Sequence, residues 1–325
     1  MYGVRGGLIP LIALVVLLLP SFFHAWQRNA WSLSYLQYST GVTSSLPVPG
    51  PSTHPRAPIW LAQDALRKGE LERALQLAQP LTETDSPYAR RVVASIQFAN
   101  NQLEAAFQNW AAIGDVESLW HAGQVLMENG QVREAELAYR AAWQVDPVAG
   151  LLPLANFLHE EKKDTPAAIT LLRDTISSQP HARLRRSWLH RLGALLRAQS
   201  QWDEAASVYQ QAITDNPQDS RAYIELGWVY YERGDGVEAA LAEFHKTIEA
   251  TPSYAKGYHS IGVLLIREKR YEEADGWLRD AIARAPNNLQ WYVTRAKAAQ
   301  VGGNLPLTLS VYAEAAARFP ESVVI

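Results

Sequence analysis

With 325 residues, 48% of them hydrophobic, the chain holds enough apolar material for one large or two ordinary domains, which excludes a disordered polypeptide. Lysine plus arginine number 30 against 33 acidic residues, a formal charge of −3, so no global field draws the chain to nucleic acid and no nucleic-acid partner is expected. The absence of cysteine removes thiolate metal sites, catalytic thiols and disulfides together.

The first element in chain order is apolar. "LIPLIALVVLLLPSFF" spans residues 8–23, and no charge stands between Arg5 and Arg28. Gly6 to Trp26 is 21 residues, about 31 Å as a helix, the thickness of a bilayer core. Trp26 and Trp31 fall where an interfacial belt would sit. Residues 1–30 are therefore expected to form an N-terminal membrane anchor. Arg5 and the terminal amine, against a lone Arg28, favour a cytoplasmic N-terminus and an extracytoplasmic remainder. The competing reading is a cleaved signal peptide with Leu8–Leu19 as its apolar region, which would give a secreted protein. Its weakness is the cleavage site, because cutting after Ala25 leaves bulky Phe23 at the −3 position. Residues 31–58 read as a juxtamembrane segment and a Pro/Ser-rich linker, with Trp31, Tyr35 and Tyr38 on one helical stripe before "STGVTSSLPVPGPSTHPRAP".

The rest of the chain is periodic. Prolines recur at 147, 180, 217, 252, 286 and 320, each closing a segment such as "AITDNP" or "AIARAP". Eight residues before each stands Tyr139, Leu172, Tyr209, Phe244, Leu278 or Tyr312, and four before those Ala135, Ala168, Ala205, Ala240, Ala274 or Thr308. Upstream halves carry "AGQVL", "LGALL", "LGWVY" and "IGVLL". These residues resemble the tetratricopeptide repeat family, whose pattern is W-x-x-L-G-x-x-Y, then A-x-x-x-F, then P. Two degenerate copies around "WLAQDALRKGELERALQLAQPL" and "RVVASIQFANNQLEAAFQNWAAI" precede the six clear ones, so about eight repeats fill residues 59–322 and leave a tail at 323–325. The resemblance implies an all-α fold: a right-handed superhelical solenoid of antiparallel helix pairs, helix A then helix B, here preceded by one transmembrane helix. Gly123, Gly193, Gly227 and Gly262 would then sit in mid-helix, where glycine costs about 1 kcal/mol against alanine and makes sense only beneath a close helix crossing. "GDGVEA" at 234–239 has the spacing of a dinucleotide-binding loop, but in this frame it follows a helix and is an A-to-B turn.

Motifs for enzymatic chemistry are absent: there is no phosphate-binding G-x-x-x-x-G-K-[ST], no G-x-S-x-G and no H-E-x-x-H. No enzyme activity, cofactor or metal site is expected, the eight histidines being scattered. Recognition of a protein or peptide remains. In the resembling family the A helices line a groove, and projecting its positions gives Trp120, Phe157, His190, Arg197, Arg221, Trp228, Tyr231, Lys256 and His259 as partner-binding candidates. Some of these, Trp120 and Phe157 above all, could instead pack between repeats. The lysine, asparagine and arginine clamp of chaperone-binding members has no complete counterpart, since Ala194, Trp228 and Val263 stand where asparagine would be wanted. An apolar or aromatic peptide is the favoured occupant.

"HARLRRSWLHR" at 181–191 is the one basic cluster, and Arg183, Arg185, Arg186 and Arg191 make it a candidate anionic-partner patch. Cations at a helix N-terminus oppose the helix dipole, so helix stability does not explain them, although a solvated charge run would. In the last repeat Leu305, Leu309, Tyr312 and Ala316 form one apolar stripe, and Leu307, Val311 and Ala315 a second. This face is expected to meet another subunit, a homo-oligomer through the C-terminal repeat, or to be covered by Val323–Ile325.

Overall fold

The computed structural model of the protein describes residues 57–82 and 86–321. The expected anchor, the linker up to residue 56 and the tail lie outside the described residues. Among those described, no helix is long and apolar enough to cross a membrane. The described residues form sixteen α-helices and one short 3-10 turn, with no strand among them.

Two compact units divide the chain at Asp146 and Pro147. In the first, three hairpins follow one another: α1 (Ala57–Arg67) with α2 (Leu71–Ala78), α3 (Pro87–Ala99) with α4 (Leu103–Ala112), and α5 (Val116–Glu128) with α6 (Val132–Val145). Its early core is built of small residues, Ala62, Ala65, Ala74 and Ala89, around Val92, Val93 and Ile96. In the second unit five hairpins follow: α7 (Pro147–Glu160) with α8 (Thr165–Ser178), α9 (Arg185–Ala198) with α10 (Trp202–Asp215), α11 (Ser220–Arg233) with α12 (Val237–Ala250), α13 (Ala255–Arg267) with α14 (Tyr271–Arg284), and α15 (Leu289–Val301) with α16 (Leu305–Arg318). Here α9 touches α11, α11 touches α13, and α13 touches α15, so the first helices of successive pairs lie side by side.

The mid-helix glycines are explained by what crosses them. A Cβ on Gly123 would stand 2.7 Å from the Tyr139 ring, on Gly193 2.6 Å from the Tyr209 ring, on Gly227 2.5 Å from the Phe244 ring, and on Gly262 2.6 Å from Leu278. Separations under about 3 Å are well inside carbon–carbon contact, so at these positions only hydrogen fits. At Gly227 and Gly262 the next neighbour is the carbonyl oxygen of Ala240 or Ala274, at 3.0 and 3.5 Å. The alanine backbone thus also approaches the glycine there, but the large side chain four residues further along the second helix is the nearer constraint. Tyr209, Phe244 and Leu278 are completely buried as a result, and each such side chain contributes about 1.5–3 kcal/mol over its exposed state.

Among the described residues each of the eight hairpin turns carries at least one residue of positive φ: Gly69, Asn101, Gly130, Lys163, Ser200, Gly234 with Gly236, Lys269 and Gly303. Gly234, with φ 97°, follows the last residue of α11, and Gly236, with the same φ, precedes the first residue of α12. The glycine pair thus joins two helices, with no strand before it, and the dinucleotide spacing is coincidental. Acidic pairs stand in the first turns of two second helices, Asp203 and Glu204 on α10 and Glu272 and Glu273 on α14, where the helix dipole favours them.

One proline departs from its expected place. Pro147 does not simply close the third repeat; it is the first residue of α7, a position where its fixed φ suits a helix and its missing N–H costs nothing. At the far end Val311 and Ala315 are buried and Leu307 packs beside them, whereas Leu305 and Leu309 are exposed by 60% and 62%. Of the two stripes on α16, the second faces the core, joined by Tyr312 from the first, and Leu305 and Leu309 are left outside it.

Two glycine substitutions should shift stability in opposite directions. Gly227→Ala forces its methyl against Phe244 and Ala240 and is expected to cost about 1–3 kcal/mol. Gly276 lies inside α14, and a methyl group there would meet nothing within 4 Å, so its conversion to alanine should gain about 0.5–1 kcal/mol. Denaturant unfolding of the two variants checks the contrast.

Candidate functional site

The partner-binding candidates meet different fates. Trp120 on α5 keeps 39% of its surface exposed, whereas Phe157 on α7 is only 4% exposed and belongs to the core rather than to a contact surface. Phe157 lies where the sequence allowed for packing, because the apolar face of α7, with Leu151, Leu154, Ala155 and Leu158, turns inward with it. Arg197 on α9 is claimed from within: its guanidinium donates to both carboxylate oxygens of Glu232, at 2.7 and 2.6 Å, and to Glu225 at 2.9 Å. That hydrogen bond to Glu232 raises its pKa above the ordinary arginine value.

Trp228 and Tyr231 on α11 form a partly exposed cluster with the next first helix. The Trp228 ring packs edge-on to Tyr231 at 6.2 Å between centroids and lies 5.1 Å from Phe244. Arg267 from α13 stands over both rings, 4.8 Å from Trp228 and 5.8 Å from Tyr231, a cation–π arrangement. The Tyr231 hydroxyl donates to Glu268 Oε1 at 2.8 Å, and this bond, together with burial and the charge of Glu268, pushes its pKa up. Lys256 on α13 is exposed. One turn away His259 stacks on Trp291 of α15, with ring centroids 5.5 Å apart and planes 24° from parallel.

The second unit also holds a cavity of about 540 Å³. Asn156 of α7, Arg186, His190 and Arg191 of α9, Arg221 of α11, and Asp219 and Tyr254 just before α11 and α13 line it. Two groups that the sequence kept apart, the groove candidates His190 and Arg221 and the basic-cluster residues Arg186 and Arg191, therefore share one wall. The other two members of the cluster do not join them. Arg185 is spent on Asp215 at 2.8 Å and on the Ile176 carbonyl at 3.1 Å, and Arg183 is exposed outside the cavity lining.

Asp219 organises this wall. Its Oδ1 accepts from the Ala222 amide at 3.2 Å, capping α11, and its Oδ2 lies 2.9 Å from His190 Nε2. Burial works against the Asp219 charge, but the hydrogen bond and charge of His190, the Ala222 amide and Arg186 outweigh it and hold the carboxyl below its usual range. Arg191 donates to Glu160 at 2.8 Å. Arg186 and Arg221 remain exposed and, among the described residues, form no ion pair. His190 Nδ1, Arg191 Nε and Asn156 Oδ1 are buried without a hydrogen-bond partner among the described residues. Burial pushes the Tyr254 hydroxyl up, so it stays a neutral donor. Sequence reading missed Asp219, although the signal was there: in "NPQDS" it is a small acidic residue placed directly before a helix.

No group of His, Asp and Glu suited to a metal ion occurs among the described residues. The clearest titration is elsewhere. Burial, reinforced by Lys256, lowers His259 from its usual 6.5 to about 4. Between these values the unfolded chain binds a proton that the folded chain refuses. The contribution is therefore complete above pH 6.5 and lost as the pH falls to about 4. Its upper bound is about 3 kcal/mol, reduced by the residual exposure of the ring. His259→Gln is expected to flatten the rise of stability between pH 4 and 6.5, and the His259 ring protons should titrate by NMR with a midpoint near 4.

Models of the tetratricopeptide repeat match residues 190–255 and 255–288. Hsp70-Hsp90 organizing protein 1 of Glycine max is 32% identical over 90 residues, 28% of this chain and 16% of the relative. Hsp70-Hsp90 organizing protein 3 of Arabidopsis thaliana is 30% identical over 93 residues, 29% of this chain and 16% of the relative. The match thus spans about one sixth of the length of these curated relatives. Among solved structures, the C-terminal part of a TPR repeat-containing protein from Cytophaga hutchinsonii aligns at 17% identity and a TM-score of 0.47, over 73% of this chain and 98% of that one. PilF of Pseudomonas aeruginosa aligns at 19% and 0.45, over 64% and 93%. At these scores neither bears on function. The likeness to tetratricopeptide repeats thus covers residues 190–288.

Proposed function

We propose that the protein is a noncatalytic scaffold, held at a membrane by its N-terminal segment, that captures a protein partner on the first-helix face of α11 and α13. The observation that carries this reading is the Trp228, Tyr231 and Arg267 cluster. Two aromatic rings and a guanidinium on neighbouring helices are the side-chain types that dominate binding energy, and here they are packed from below and open from above. The curated relatives have names that say they organise Hsp70 and Hsp90. For this chain a protein partner is proposed but not those chaperones, because Ala194, Trp228 and Val263 replace the asparagines of the chaperone clamp.

Residues 8–23 and the charge distribution around them support an anchor with a cytoplasmic N-terminus and extracytoplasmic repeats; cleavage would make the same domain a secreted scaffold. The exposed Leu305 and Leu309 on α16 favour self-association through the last repeat. A second reading is a noncatalytic docking subunit of a membrane enzyme or of secretion or envelope polysaccharide machinery, touching its partner through the membrane segment itself.

Crosslinking in the native membrane followed by identification of the attached protein supplies the partner. Trp228→Ala with Tyr231→Ala is expected to weaken capture at least tenfold while helical circular dichroism is retained, and unchanged capture would contradict the scaffold reading. Replacing residues 1–30 by an unrelated anchor should leave a scaffold working and disable a docked subunit.

A further inference from the structure

We propose that the cavity between α7, α9 and α11 is a binding site for a small phosphate-bearing ligand, free phosphate or a phosphate monoester. Arg186, Arg191 and Arg221 converge on it from two helices, against one carboxylate, Asp219. That carboxylate is already committed, to His190 on one oxygen and to the α11 backbone on the other. Arg191 shares its charge with Glu160. Set against Asp219 and Glu160, the three arginines still leave the cavity net positive, and the two guanidiniums outside any ion pair, Arg186 and Arg221, offer paired donors that suit the several oxygens of a phosphate better than a single carboxylate.

The positions of the two unpaired arginines sharpen the point. Arg186 is the second residue of α9 and Arg221 the second of α11, so each guanidinium sits at the positive end of its own helix dipole. Each placement opposes the fold, and no ion pair among the described residues relieves it. An anion in the cavity would pair with both arginines and would face the start of α9, which has no side-chain cap, while Asp219 already caps α11. The volume of about 540 Å³ exceeds that of a phosphate group, leaving room for an esterified organic portion against Tyr254 and Asn156. Guanidinium groups suit the purpose because their forked donors match the oxygen pairs of a phosphate.

The site is separate from the Trp228 and Tyr231 cluster, so it stands whether or not that cluster captures a protein. The test uses the full-length chain in detergent, titrated at constant ionic strength with inorganic phosphate, glycerol 3-phosphate or acetate, with heat release and the thermal unfolding midpoint as readouts. Phosphate and the monoester are expected to bind saturably and to raise the midpoint, acetate at least tenfold more weakly; tighter binding of the monoester would identify the ester as the occupant. Arg186→Gln with Arg221→Gln should unfold at an unchanged or higher temperature without phosphate and should lose the phosphate-dependent rise, which separates specific binding from the general stabilising effect of phosphate salts. Absence of saturable binding to the parent chain, an equal response to acetate, or a double variant that keeps the full phosphate response would each overturn the proposal.

Discussion

The structure depends on one contact repeated along the chain: a glycine in the first helix of a hairpin lying under a large side chain of the second. Four hairpins make it, at Gly123, Gly193, Gly227 and Gly262, and in each an added methyl group would fall within 2.5–2.7 Å of Tyr139, Tyr209, Phe244 or Leu278. The large side chain closes the space between helices that the missing Cβ opens, so a costly residue in the first helix permits nearly complete burial in the second. Because the partner stands 16 residues away, or 17 at Gly227, where the Gly234 to Gly236 turn is one residue longer, the contact also fixes how the two helices face each other.

That facing is what places the site. Once the second helix is held over the glycine, the opposite side of each first helix is left for neighbours and for solvent. In the second unit α9, α11 and α13 stand side by side on that basis, and Arg186, His190, Arg221, Trp228 and Arg267 are delivered by them. Trp228 illustrates the coupling: it follows Gly227 directly, and its ring rests on the same Phe244 that covers the glycine. The aromatic cluster and the helix crossing are thus adjoining parts of one packing unit.

Much of this is legible in the amino-acid order. The glycine and aromatic spacing carries the crossing, and the turn position of Gly234 to Gly236 follows from the period alone. What the sequence does not show is how side chains from separate helices divide one another up. Arg197 has the chemistry of a groove contact, yet Glu225 and Glu232 occupy it; Phe157 occupies a groove register, yet the inward turn of α7 buries it. The cavity is invisible for the same reason: its residues run from Leu152 to Tyr254, and no window of sequence contains them. Pro147 is ambiguous in sequence because proline suits both the end of one repeat and the first turn of the next helix. The expected anchor and the tail fall outside the described residues.

The most direct measurement of the central claim is a double-mutant cycle at one crossing, combining Gly193→Ala with Tyr209→Ala and reading each variant by urea unfolding. If the ring is what forbids a methyl group, alanine at 193 should cost much less once Tyr209 has been shortened, giving a coupling of about 1 kcal/mol or more. Strict additivity of the two substitutions would contradict the account, since it would mean that the glycine is there for some reason other than the ring above it.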